Sequence, residues 1–176
     1  MFARIRYRLW QFWQELWARP LSAQAWQHVA NTLSSAELAL FRHFARSDQV
    51  HSYRVMQTLL AAGHDDPHLL KAALLHDVGK TRVHLSVWDR VLVVLGKALF
   101  PGKMAVWGQE RPSGWRKAFV VKANHAAWGA ALAEQAGSDP AVVALIRYHQ
   151  DDAAAVPETA VSRSLLLLLQ WADDQN

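Results

Sequence analysis

A chain of 176 residues, 52% hydrophobic and 19% charged, is long enough for one compact domain with an appended helical arm and too short for two independent enzymes. That balance excludes general disorder, and the absence of cysteine excludes disulfides and thiolate metal sites, so any bound metal must take nitrogen and oxygen from His, Asp and Glu. A formal charge of +4 points to an anionic partner, whether phosphate, nucleic acid or lipid, and no run reaches the roughly 18 apolar residues that crossing a bilayer requires.

Residues 2–17 carry Ile5, Leu9, Phe12 and Leu16 at helical spacing, which predicts an amphipathic helix ended by Pro20. Arg4, Arg6 and Arg8 lead into an aromatic, charge-broken stretch unlike a signal peptide, so the chain is expected in the cytoplasm, soluble or peripheral at a membrane. With Trp10, Trp13 and Trp17 this helix can lie in a membrane interface. Most such faces are core, which favours packing on the domain or self-association with a second copy.

Ser34 and Glu37 form a capping-box pattern that opens a helix through about Ala45. Ser47 is expected to cap the next helix, which runs to Gly63. Asp66 and Pro67 supply the cap and first turn of a helix containing Leu69, Leu70, Ala73 and Leu74, interrupted by Gly79. After an apolar helical stretch over residues 87–100, Pro101, Gly102, Gly108, Pro112 and Gly114 predict a long loop. Helical periodicity returns over residues 123–136, 140–150 and 157–173. The chain is therefore expected to be all-α, with an amphipathic helical extension over residues 1–46 and a helical domain over residues 47–176.

Certain ionisable residues fall on the apolar faces of these helices. His76 follows Leu69, Ala72 and Ala73, and Asp77 follows Leu70, Ala73 and Leu74. His125 shares a face with Trp128 and Leu132, His149 follows Val142, Leu145 and Ile146, and Asp173 follows Leu165, Leu166 and Leu169. A buried carboxylate without a partner is costly, so inward carboxylates and imidazoles from several helices suit a metal cluster. A single inward histidine is more often a hydrogen-bonded core residue, and His43 is one on a comparable face.

The run Leu74-Leu75-His76-Asp77-Val78-Gly79-Lys80 resembles the signature of HD-domain metal-dependent phosphohydrolases. In that family an isolated His precedes a His-Asp pair and a further Asp follows near the end of the domain. His51, in His51-Ser52-Tyr53-Arg54-Val55, and Asp173, in Trp171-Ala172-Asp173, take the outer places. His125, in Asn124-His125-Ala126-Ala127-Trp128-Gly129, and His149, in Arg147-Tyr148-His149-Gln150, match the extra histidines of binuclear members. The resemblance covers about residues 47–174 and implies an HD-domain-like helical bundle.

It further implies that His51, His76, Asp77 and Asp173 hold one divalent ion and that Asp77 bridges to a second, held by His125 and His149. Two cations roughly 4 Å apart can share a hydroxide and neutralise charge on an attacked phosphoryl group, which makes Asp77 a catalytic residue. Lys80 is expected to take a catalytic and phosphate-binding role, against the plain reading of a solvated helix-end lysine, and Arg54 is a second phosphate-binding candidate. Arg111, Arg116, Lys117 and Lys122 could also meet an anionic substrate, although charged loops are usually just solvated. Mixed His and Asp ligation suits Fe, Mn, Zn, Ni or Co, while Mg prefers a more oxygen-rich shell.

Members that hydrolyse cyclic dinucleotides carry a Gly-Tyr-Pro motif after the counterpart of His149, and Gln150-Asp151-Asp152-Ala153 has none. Because Asp173 lies close to Asn176, where helices fray, Asp174, Asp151 or Asp152 stands as a substitute ligand. The expected substrate is a phosphate monoester or diester of a nucleotide or other small phosphorylated metabolite. The alternative is a catalytically inactive metal-binding module in signalling or at a membrane. Nucleic acid is not favoured, since the basic residues form only short clusters.

Overall fold

Cap residues and prolines divide the chain into helices, and the structure, a computed structural model, describes them over residues 19–176. The helix expected over residues 2–17 lies outside the described residues. Among the described residues there are α helices and short 3₁₀ turns and no strand.

Helix α1 (Ala23–Thr32) begins where the Ser22 hydroxyl accepts the Ala25 N–H at 3.1 Å. The sequence reading assigned nothing there, although Ser22 with Ala25 and Val29 on one face carries the signal. Helix α2 (Ser35–Arg42) opens on the Ser34–Glu37 capping box as expected. Helix α3 (Arg46–Ala61) has Ala45 at its N-cap with no side-chain cap, so Ser47 lies inside the helix. Asp66 Oδ1 accepts from the N–H groups of His68 and Leu69 and, with Pro67, starts α4 (Pro67–Leu75).

A 3₁₀ turn (Val78–Arg82) follows, then α5 (Val87–Leu99) behind a Ser86–Asp89 capping box. The stretch expected to be a long loop is instead wound into 3₁₀ turns (Pro101–Lys103 and Gly114–Arg116) around a short α6 (Met104–Gly108). The next helix, α7 (Lys117–Gln135), starts earlier than periodicity suggested. Asp139 and Pro140 begin α8 (Pro140–Tyr148), and turns over residues 157–160 delay α9 (Arg163–Asp174).

The core is continuous across these elements. Val29, Leu33, Phe41 and Phe44 belong to the same buried cluster as Leu59, Leu74, Leu145 and Leu169, so α1 and α2 pack into the body that carries the later helices. Phe41 meets Trp26 and Phe44 edge-on at 5.7 and 5.4 Å. One acid lies inside this region. Glu37 is only 1% exposed, and it is matched by the Ser34 N–H at 2.8 Å, the Ser138 hydroxyl at 2.8 Å and the Lys71 ammonium at 3.1 Å. Burial would raise its pKa, but these donors outweigh it and hold the carboxyl below its ordinary value. Glu37 thereby ties α2 to α4 and to the turn before α8.

The turn after α4 lies against α7 with backbone on backbone. A Cβ built on Gly79 would stand 1.9 Å from the His125 carbonyl oxygen and 2.7 Å from Gly129 N, and one on Gly129 would stand 3.1 Å from Gly79 N. Gly79→Ala must therefore push the turn off α7, at an expected cost of about 3 kcal/mol or more. The denaturation midpoint should fall accordingly, while Gly102→Ala, which meets nothing within 4 Å, should leave it unchanged. Equal midpoints for the two variants would refute the close approach.

Candidate metal centre

The ends of α4 and α8 meet at the centre of the molecule. His76 is the C-cap of α4 and His149 the C-cap of α8, so these groups sit at helix ends rather than on the helix faces that periodicity had suggested. At a C-terminus the last carbonyls lack intrahelical partners. The His76 Nδ1–H donates to Ala73 O at 2.9 Å, and the His149 Nδ1–H donates to Ile146 O at 2.7 Å. In mid-α7 the His125 Nδ1–H donates to Val121 O at 3.0 Å. All three imidazoles thus turn Nε2 inward, a lone pair wherever the ring is neutral.

Those inward nitrogens face one carboxylate. Asp77, 2% exposed, presents Oδ2 to His76 Nε2 at 3.5 Å and to His51 Nε2 at 4.0 Å. Its other oxygen, Oδ1, stands 3.3 Å from His125 Nε2. Donor atoms of His51, His76 and Asp77 form one group within 4.8 Å of each other, and those of Asp77, His125 and His149 form another. Asp173, in the last turn of α9, places Oδ1 2.9 Å from His51 Nε2 and 3.6 Å from His76 Nε2. The rings run in a chain, with His51 to His76 at 5.4 Å and His149 at 5.2 Å from both His76 and His125.

The arrangement fits divalent cations. His76 Nε2 and His149 Nε2 are buried without a hydrogen-bond partner among the described residues, a costly state that a cation would relieve. Burial, reinforced by the charge on His76, pushes His149 down to about 3, so its Nε2 is free of a proton at neutral pH. His76 behaves oppositely: burial opposes its charge, but Asp77 and Asp173 prevail and raise its pKa to about 9. Burial would also raise the Asp77 carboxyl, yet the Lys80 ammonium and His76 hold it well below the usual carboxylate range. Asp173 is lowered in the same way by His76 and His51. The two helix C-termini add partial negative charge, which favours cations further.

The six side chains singled out from sequence therefore converge. His76, Asp77, His125 and His149 form a buried floor, while His51, Asp173 and Lys80 make a half-buried rim. Lys80 Nζ is paired with Asp77 Oδ2. Arg54 is exposed one turn along α3 from His51 and has no hydrogen bond or ion pair with the described residues of the cluster. Asp174, Asp151 and Asp152 are exposed, and it is Asp173 that reaches the centre. Arg116 pairs with Glu110 and Lys117 with Asp89, beside α5. His43 is exposed, with its Nδ1–H donated to Ala39 O.

Some residues that shape the site were not singled out from sequence. The Gln150 amide donates to His125 Nε2 at 3.0 Å, directly on a nitrogen offered to a cation. Gln170, one turn before Asp173, donates to the carbonyls of His149 and Asp151 and fixes the turn after α8. The Asn176 amide donates to Thr58 Oγ1 at 2.9 Å and to Ala172 O at 2.8 Å, which pins the last turn of α9 to α3 and holds Asp173 beside His51. The available signals were adjacency to His149 for Gln150 and helical spacing to Asp173 for Gln170.

No curated protein matches this chain, and no solved structure does. The family model for the HD domain matches residues 49–174, a stretch that takes in all six clustered side chains and well over half of the chain. The chain belongs to the HD domain family, whose members are generally metal-dependent hydrolases.

Proposed function

We propose that the chain is a metal-dependent phosphohydrolase that hydrolyses a phosphate monoester or diester of a nucleotide or small phosphorylated metabolite. The observation that carries this reading is the division of Asp77, with Oδ2 turned to His51 and His76 and Oδ1 to His125. In this reading His51, His76, Asp77 and Asp173 hold one divalent ion, and Asp77, His125 and His149 hold a second. The donor set is rich in imidazole, which favours Fe, Mn, Zn, Ni or Co over Mg. Bound there, such ions would lower the pKa of a water and neutralise charge on a phosphoryl oxygen.

The protein's own groups supply the rest. The buried floor excludes bulk water, which strengthens every electrostatic contact made there. Substrate enters from the rim of His51, Asp173 and Lys80, the solvent-exposed side of the cluster. The Lys80 ammonium, already resting on Asp77, presents its charge to an incoming phosphoryl oxygen, and Arg54 offers a second cation for a more distant phosphate. With its pKa held low, Asp77 stays ionised and does not serve as a proton donor.

Purified protein, assayed against generic phosphate monoesters and diesters with each candidate metal, should turn over at least one of them. Asp77→Asn should lower that turnover by about a thousandfold and reduce the metal content read by elemental analysis, with helicity unchanged. Full turnover by the folded variant would end the proposal. Lys80→Ala should retain the metal and lose about a hundredfold in kcat/KM. Metal uptake should also depend on pH, because a cation at His76 Nε2 must displace a proton whose pKa is raised to about 9. Apparent affinity should then fall by up to about tenfold for each unit of pH below that value, and a pH-independent titration would show that binding displaces no proton from His76.

A further inference from the structure

On a surface helix the outward positions are ordinarily polar. On α5 they are not. Trp88, Leu95 and Leu99 recur at helical spacing along this helix and are 76%, 45% and 65% exposed. The stripe continues through Phe100 and Val106, 50% and 60% exposed, to Trp115 at 48%. Trp107 joins these pieces, with ring centroids 6.1 Å from Phe100 and 5.3 Å from Trp115, and Phe119 of α7 supports it from beneath at 4.9 Å. The result is a continuous apolar face anchored on the body, larger than the scattered single residues that every surface carries.

Charge decides what covers it. Residues 81–122 contain eight Lys and Arg against Asp89 and Glu110 alone, while residues 123–176 contain two basic residues against seven acids. Both acids of the basic stretch are already engaged, Asp89 by Lys117 at 2.9 Å and Glu110 by Arg116 at 2.6 Å. A second copy of the same face would meet it with like charge. So would the N-terminal stretch, where Arg4, Arg6 and Arg8 outnumber Glu15. A polynucleotide would match the charge but gains little from Leu95, Leu99 and Val106, since bases stack on aromatic rings. An anionic lipid surface matches both properties, and the tryptophans are amphipathic side chains suited to the headgroup level. No helix among the described residues is long and apolar enough to cross a membrane, so contact through this face is superficial.

We propose that the face formed by α5, α6 and the turn at Trp115 docks on a bilayer rich in anionic lipid. Its apolar side chains enter the boundary between headgroups and acyl chains, and basic residues of the same stretch, the exposed Lys103 and Arg111 among them, meet lipid phosphates. This proposal is independent of the catalytic reading.

Flotation of the full chain with vesicles of phosphatidylglycerol and phosphatidylcholine, against vesicles of phosphatidylcholine alone, tests it. The parent should float with the anionic vesicles and be released by salt. Leu95→Glu with Leu99→Glu, both at exposed positions, should weaken binding by more than about tenfold with thermal stability retained. Lys103→Glu with Arg111→Glu should weaken it by more than about tenfold through charge alone. Failure of the parent to float overturns the proposal. So does undiminished flotation of the folded Leu95/Leu99 variant, which would move attachment to residues 1–18. A parent dimer that this variant dissolves, or loss of a polynucleotide complex in place of vesicle binding, would assign the face to another occupant and also overturn it.

Discussion

The structure depends on keeping one carboxylate charged inside the protein. Asp77 is almost fully buried, and an ionised carboxylate there is tolerable only if positive charge or directed donors surround it. Imidazoles converge on it from α3, α7 and the end of α4, and Lys80 reaches it from the turn that follows. The local fold can be understood as the means of delivering them. Helices α4 and α8 end where they do because each has a histidine at its C-cap, whose ring takes up an unpaired carbonyl of the last turn. One hydrogen bond thereby satisfies the helix terminus and fixes the tautomer that leaves Nε2 facing Asp77.

The same economy links the start and end of the matched domain. His51 lies early in α3 and Asp173 in the last turn of α9, far apart in sequence, and their 2.9 Å contact closes the rim of the site. That contact depends on the Asn176 side chain bridging back to Thr58 on α3. The lysine at the rim and the protonated His76 together offset the charge of the two carboxylates before any cation is present, so the folded protein does not carry an uncompensated anion while it awaits metal.

Local signals were most readable where cap and proline coincide. Asp66-Pro67, Asp139-Pro140 and the Ser34–Glu37 pair mark helix starts because each satisfies an exposed N–H by chemistry contained within a few residues. Residues 101–116 misled for a definite reason. Gly108 suggested a loop, yet it ends α6 at a point where a Cβ would stand 2.6 Å from the Ala123 side chain, so it serves a close approach between helices. Gly79 was likewise read as an interruption when it is also a contact. Sequence alone cannot separate a glycine that frees the backbone from one that admits a neighbour. The chemical cluster was legible through its motif and residue order. The bridging place of Asp77 followed from the same resemblance, whereas the reach of Gln150 to His125 is a tertiary fact with no local trace.

The meeting of Gly79 with α7 has a wider meaning for how such a molecule tolerates change. The gap between the His76-Asp77 pair, just before the turn, and His125 on α7 is set by main-chain atoms already in contact. Main chain has few ways to relax, unlike the leucines and valines of the interior, which can re-pack around a substitution. Drift in the core can then alter melting behaviour while the spacing of the reacting groups stays the same, so that robustness and chemistry are tuned by separate sets of residues.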